Sequence, residues 1–265
     1  MKRIHILILC LSIFIISNSY GDERLKIAAT TSLYETGFLE YILPDFTAKY
    51  GIKTTVISAG TGKAIKLGEN GDVDLLFIHA PDDENEFIRN GFGKNRKTIM
   101  YNDFIIIGPE NDTARIKGSN NVKVAFKKIF KTRNKFVSRG DDSGTHKKEK
   151  SIWSELKVFP KGKWYMESGQ GMTATIMIAD EKNAYCLADR ATFLTSKDKI
   201  RIIKLFDGDN NLINYYSVIA VSPQKHPHVQ YISAMKFIEW ICSPDCKKRI
   251  ENFKKNGELL FNPTH

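Results

Sequence analysis

Cysteine is scarce in this chain, four residues in 265, and histidine is little commoner at six. No histidine accompanies Cys242 and Cys246 at ligand spacing, which argues against a zinc site. Long apolar runs are missing as well: the one present, Ile4 to Ile16, is too short to span a bilayer comfortably. Acidic residues number 30 against 40 basic ones. The basic excess is nonetheless not interleaved with aromatics as a nucleic-acid groove would be, so no nucleic acid is expected as partner. A surface of this sign steers anions towards a cleft. There is no internal repeat and no low-complexity linker.

What is there begins with Lys2 and Arg3, the apolar run, and then Ser17, Asn18 and Ser19. Charge, length and small-residue exit together describe a secretory signal peptide over residues 1–19, with a mature start near Tyr20. Cys10 follows Leu9 inside the run, which is not the pattern of a lipoprotein acylation site. The expected product is an exported protein of the periplasm with no stable membrane insertion. Its formal charge falls from +10 to +8 when Lys2 and Arg3 leave. The remainder, in a chain 42% hydrophobic, is long enough for two modest α/β domains. An oxidising compartment also permits disulfides: Cys242 and Cys246 flank Ser243-Pro244-Asp245, a helix-starting turn, and form a candidate pair, whereas Cys186 reads as a buried thiol.

Short apolar runs alternate with helical patterns along the rest, which predicts parallel βαβ units. Strands are expected at Leu25–Ala29, Lys53–Ile57, Val73–Ile78 and Phe104–Ile107, then at Lys135–Val137, Trp164–Met166, Ala184–Leu187 and Tyr215–Val221. Helices are expected at Phe38–Lys49, Gly62–Leu67, Val122–Phe130, Thr145–Leu156, Met172–Asp180 and Val229–Cys242.

Several strand-to-helix junctions carry one chemistry. SRGDDSGTH, Ser138 to His146, places the guanidinium of Arg139 beside Ser143, Gly144 and Thr145 where a helix begins; a cation, hydroxyls and free N–H groups are what holds an oxyanion. ATTSLYE, Ala29 to Glu35, adds the hydroxyls of Thr30, Thr31 and Ser32, with Ser32 and Glu35 in capping-box spacing. SAGTGK, Ser58 to Lys63, lets backbone amides turn inward around Thr61, although Ile57 stands where a Walker loop has its first glycine. ESGQGM adds Ser168 and Gly169. Each could simply cap a helix, but in an open α/β sheet the carboxyl ends of strands face one crevice. Ser143 and His146 invite a hydrolase reading, against which stand the lack of an oriented acid and of a GxSxG elbow.

The ordered set ATTS, SAGTGKAI, GDVDLLFIHAP, MYNDFIIIGPEND, SRGDDSGTHKKE, ESGQGM and AYCLADRATFL resembles the tungstate-binding proteins of bacterial ABC importers, the TupA family. The resemblance runs from Leu25 to about Ser222. It implies a type II periplasmic binding fold, two α/β lobes on a two-strand hinge, crossing after Ile107 and returning near Asn214. Lobe 1 would be residues 20–108 with 215–265, and lobe 2 residues 109–214. It further implies anion contacts from Thr30, Ser32, Thr61, Arg139 and Thr145; Ser143, Ser168 and Gly169 are added on chemical grounds. Ala29 departs from the family's usual TTTS. The implied ligand is tungstate, with molybdate, phosphate or sulfate as alternatives, and the implied partners are an ABC permease and its ATPase. No cofactor is expected, no protein ligand to the metal, no catalysis, and a monomer. Phosphate retains a proton and rewards a carboxylate acceptor after the third strand, where this chain has His79.

Overall fold

A computed structural model describes residues 24–255 and 257–264. The signal peptide expected at residues 1–19 lies outside the described residues. The first half of the chain runs β1 (Arg24–Thr30), α1 (Thr31–Glu35), α2 (Phe38–Tyr50), β2 (Lys53–Ala59), α3 (Thr61–Asn70), β3 (Leu75–Ile78), α4 (Pro81–Arg89) and β4 (Gly93–Gly108). The middle continues with α5 (Val122–Thr132), β5 (Phe136–Ser138), α6 (Gly144–Glu155), β6 (Tyr165–Glu167), α7 (Met172–Lys182), β7 (Tyr185–Asp189), α8 (Arg190–Ser196) and β8 (Ile203–Phe206). The chain then returns through β9 (Ile213–Val221), α9 (Tyr231–Ile241) and α10 (Pro244–Asn252).

The strand order is β2-β1-β3-β9-β4-β7-β5-β6. Parallel pairs occupy both ends, β1 with β2 and β3 on one side and β5 with β6 and β7 on the other. The antiparallel strands β9 and β4 lie between them. β4 serves two sheets: Gly93 to Asp103 pair with β9, and Phe104 to Gly108 pair with β7 and β8. The new partners begin at Phe104, earlier along the strand than the crossing after Ile107 that the resemblance implied. Only Phe104–Ile107 was expected as strand, because Lys94, Asn95, Arg96 and Lys97 interrupt any apolar pattern before it.

Alternation along β1 explains the packing around the first sheet. Leu25, Ile27 and Ala29 face one side with Phe38, Ile42 and Phe46 of α2 and Phe237 of α9, while Ala28 faces the other with Leu76 and Phe87. In the second sheet Phe104 and Ile106 join Phe126, Phe136, Trp153 and Trp164, and Ile105 and Ile107 face Met172 and Ile176. Both faces of each sheet are therefore covered by helices, as parallel strands require. No helix among the described residues is long and apolar enough to cross a membrane.

Cys242 and Cys246 are free thiols, which corrects the candidate disulfide. Cys242 closes α9 and has Lys97 and Lys247 as its charged neighbours, whereas Cys246 lies within α10 in the core, towards Asp45 and Lys49 of α2. Both pack on the same apolar cluster from successive helices, Cys246 within it and Cys242 at its margin. Cys186 is buried, and burial pushes its thiol well above the ordinary range.

Where β4 changes partners, Arg190 donates from Nε to Asp103 Oδ1 at 2.5 Å and from Nη2 to Asp103 Oδ2 and Asp207 Oδ2, each at 2.7 Å. The group is about four-fifths buried on the Arg190 and Asp103 sides. Arg190→Met leaves two carboxylates facing each other, and denaturant unfolding should show a loss of about 1–3 kcal/mol, partly restored by Asp103→Asn. An unchanged midpoint would mean that the triad contributes nothing to the crossing.

Candidate functional site

The carboxyl ends of β1 and β2 carry the Thr30 and Thr61 turns, those of β5 and β6 carry Arg139 and the Ser168–Gly169 turn, and a cavity between the two groups of strands is lined by His79, Asp83, Gly144, Lys147 and Asn214. Thr30 ends β1 in register with Ala59 of β2, which sets the Thr61 turn beside the Thr30 turn. Thr30, Ser32 and Thr61 are all buried. The expected Ser32–Glu35 capping box does not form: Thr30 is the residue before the helix, and the Glu35 carboxylate instead accepts from Thr173 Oγ1 of α7 at 2.7 Å. Ser32 Oγ lies 3.1 Å from Nε2 of His79, at the end of β3.

Opposite this wall, Arg139 follows β5 and is 5% exposed. Its Nε and Nη2 both donate to Asp141 Oδ2, at 3.0 and 2.7 Å. Asp141 Oδ1 accepts from Ser143 N at 3.2 Å. The carboxylate therefore fixes one edge of the guanidinium and leaves the Nη1 edge, of five N–H donors in all, uncommitted to Asp141. The loop makes this turn through Gly140 at φ +65°, where a Cβ would approach Glu167 Cβ to 2.8 Å, so only glycine fits.

Ser143 caps α6, accepting from His146 N at 3.4 Å. The His146 ring points elsewhere: its Nδ1 accepts from Asp142 N at 3.0 Å, and it lines a separate cavity with Lys150, Trp153, Phe159 and Tyr165. Its pKa is lowered, first by burial and then by Lys150. A nitrogen already accepting from backbone is not available as base to Ser143, so the structure corrects the Ser143/His146 nucleophile pair to a helix cap. Ser168 and Gly169 are likewise reassigned, because their polar groups serve the main chain of Arg139. Ser168 Oγ and Gly169 N both donate to the Arg139 carbonyl, at 3.0 and 2.9 Å. Ser168 Oγ also meets Thr175 Oγ1 at 2.7 Å.

Three hydroxyls stand apart from these. Thr30 Oγ1, Ser138 Oγ and Thr145 Oγ1 are buried with no hydrogen-bond partner among the described residues, and of these Ser138 lies beside Glu149 and Tyr165. A buried hydroxyl left in that condition is costly, and Thr30 belongs to the first group of strands whereas Thr145 belongs to the second. The walls are in contact: Gly144 sits so close to His79 that a Cβ would lie 3.0 Å from the His79 carbonyl oxygen. Lys147 of α6 also pairs with Asp83 of α4. That closing contact was not expected from the sequence, since α4, which opens on Pro81 and a run of acids, was not among the predicted helices.

Burial lowers the pKa of His79 to about 4, with the Asn214 hydrogen bond opposing and the charge of Arg139 adding to the fall. The imidazole is therefore neutral at neutral pH. Asp189 is raised by burial, against hydrogen bonds from Thr192 and the charge of Arg139. No group of three or more metal-ligating side chains occurs among the described residues.

A family model for the PBP superfamily domain matches residues 19–245. A curated relative, the tungstate-binding protein TupA of Peptoclostridium acidaminophilum, is 42% identical over 252 residues, covering 94% of this chain and 88% of the relative. The crystal structure of the tungstate ABC transporter from Geobacter sulfurreducens is 46% identical, with a TM-score of 0.82 over 87% of this chain and 99% of that one. The tungstate-binding protein TupA from Desulfovibrio alaskensis G20 is 45% identical, with a TM-score of 0.81 over 91% and 99%.

Behind the α6 wall, Glu149 is 1% exposed and accepts from Trp153 Nε1 at 3.0 Å and from Tyr165 OH at 2.7 Å. Burial raises its pKa to about 7 despite those donors. Between the ordinary 4.5 and 7 the folded chain holds a proton that the unfolded chain has lost, so this group's contribution to stability declines as pH rises through that window. Glu149→Gln removes the decline. Denaturant midpoints should show the variant gaining about 1–3 kcal/mol on the parent between pH 4.5 and 8. A constant difference across that range would mean that Glu149 ionises normally.

Proposed function

Because the chain belongs to the TupA family within the periplasmic-binding-protein superfamily, we propose that it captures tungstate in the periplasm and delivers it to an ABC permease and its ATPase. The two lobes are built on the two groups of strands, which exchange within β4 at Phe104 and rejoin at the start of β9, and the anion is held between them. The observation that carries this reading is the pair of buried, unpartnered hydroxyls, Thr30 and Thr145, on opposite walls. Two donors without acceptors are what a bound oxyanion completes. Thr30, Ser32 and Thr61 act from the first lobe, and Arg139, Thr145 and the first backbone N–H groups of α6 act from the second. Tungsten is touched only through its oxygens, and capture proceeds without turnover.

A proton-free anion suits this wall. Asp141, the carboxylate beside Arg139, has one oxygen on the guanidinium and the other on Ser143 N, so it is engaged rather than offered to a protonated ligand. Molybdate presents nearly the same tetrahedron and should bind in the same way. A ligand touching both lobes stabilises the closed form by its difference in affinity for the two states.

Isothermal calorimetry with tungstate, molybdate, sulfate and phosphate tests the reading, with tungstate and molybdate expected to bind and phosphate to give no heat at the same concentrations. Arg139→Ala should weaken tungstate more than tenfold, since losing a charge-assisted contact to a buried dianion costs roughly 2–5 kcal/mol. Thr30→Val and Thr145→Val should each cost about 1–3 kcal/mol, and the pair less than the sum, because both serve one ligand. Parent affinity retained in all three variants would move the site away from this cleft.

A further inference from the structure

Ser32 is bound to a relay that reaches the hinge. Its Oγ is 3.1 Å from His79 Nε2, and His79 Nδ1 is 3.0 Å from Asn214 Oδ1. Asn214 Nδ2 is in turn 2.8 Å from Asn102 Oδ1 and 3.1 Å from the Tyr216 hydroxyl. Asn102 and Asn214 are direct partners on β4 and β9, one residue before the β4–β9 pairing ends at Asp103. The imidazole cannot tilt out of line, for it stacks on Tyr216 with centroids 4.8 Å apart and has Gly144 against its edge from the other lobe.

These heavy atoms admit two proton arrangements, because an asparagine amide fits its slot either way round. In the first, His79 carries its proton on Nδ1 and donates to Asn214 Oδ1, so Nε2 must accept from Ser32. The Ser32 hydroxyl then turns its lone pairs to the cleft, and the buried Nδ2 of Asn102 is left with no acceptor. In the second, both amides are turned. Tyr216 OH and Asn102 Nδ2 donate to Asn214 Oδ1, Asn214 Nδ2 donates to His79 Nδ1, and His79 Nε2–H donates to Ser32 Oγ. The Ser32 proton is released to the cleft, and the orphaned amide of Asn102 gains its acceptor.

We propose that His79 carries its proton on Nε2 in the anion complex and thereby fixes Ser32 as a donor, making His79 a specificity-determining positioning residue for proton-free oxyanions over hydrogen phosphate. The inference rests on the oxyanion reading of the cleft. An oxyanion that brings its own proton needs an acceptor, and in the second arrangement Ser32 meets the anion through its O–H, with one of its two lone pairs already taken by His79. Turning the amide replaces the unmet Asn102 N–H donor by a carbonyl oxygen, whose lack of a partner costs less, and this favours the second arrangement. The neutral state of the buried imidazole, beside the charge of Arg139, is compatible with it.

The direct test is 15N NMR of the full mature chain labelled at histidine, at pH 7 with saturating tungstate, His79 being assigned by its loss in His79→Gln. Nε2 should resonate as a protonated nitrogen and Nδ1 as an unprotonated one. The reverse pattern overturns the proposal while leaving tungstate capture intact, whereas a parent that binds no tungstate by calorimetry takes both readings down. A functional arm uses the tungstate-to-phosphate affinity ratio. His79→Leu frees the Ser32 hydroxyl to rotate and should narrow the ratio by about fivefold or more, while His79→Gln, whose amide N–H can replace Nε2–H, should keep it. In a Ser32→Ala background the His79→Leu effect on the ratio should vanish, because the imidazole acts through that hydroxyl. A ratio unmoved by His79→Leu, or moved equally without Ser32, refutes the role. If His79→Leu does not fold, the NMR result on the parent decides alone.

Discussion

β4 runs for 16 residues and changes partners once, from β9 to β7 and β8, and the cleft exists because of that change. Parallel strands need helices on both faces, so each group of βαβ units makes its own layered body. An antiparallel strand shared between them joins the bodies by continuous hydrogen bonding instead of by a loose linker. The strand ends that face inward then belong to different bodies but open on the same space. Hydroxyl-bearing turns far apart in the chain, at Thr30 and Thr61, become neighbours by topology, and Gly144 meets His79 from the other group of strands.

A buried dianion is tolerated only where charge and donors are fixed before it arrives. Arg139 supplies the cation, and Asp141 holds its orientation at the expense of part of its charge. Of the acids nearby, Asp141 is paired with Arg139, and burial raises the pKa of Glu149 to about 7 and that of Asp189 above the ordinary value. His79 stays neutral, so the remaining contacts are hydrogen bonds of fixed direction. Such donors bind without the reorganisation that water would require.

Much of the fold was legible from periodicity. The Phe38–Tyr50 helix and the Ile213–Val221 strand have apolar patterns that the core then uses, and their bounds differ from expectation by a residue or two. The Gly93–Asp103 part of β4 was not legible, since its residues are set by pairing with β9 and its edge stays partly exposed, which permits Lys and Arg on it. In the candidate site, Arg139 and Thr145 were read from a local motif, and both are buried. The Ser32–Glu35 box failed because Glu35 found its partner 138 positions away in α7, a contact no local spacing encodes. Cys242 and Cys246 failed for a related reason: four residues apart in sequence, they end on successive helices, one within the apolar cluster and one at its margin, because a helix boundary falls between them.

Serine, threonine and glycine at a helix start carry two meanings, and their position in the sequence does not separate them. Ser143, Ser168 and Gly169 match the oxyanion pattern as well as Thr30 and Thr145 do, yet the first three have partners in the chain. What distinguishes the two threonines is that burial removed them from water without supplying a partner. A folded chain tolerates an unmet donor only where something else recovers the loss. The internal bonds of Ser143, Ser168 and Gly169 hold Arg139 and the α6 terminus in place, so the same residue type builds the frame at one position and is left without a partner at the next. Which of the two a hydroxyl becomes is decided by the topology that brings, or fails to bring, an acceptor to it.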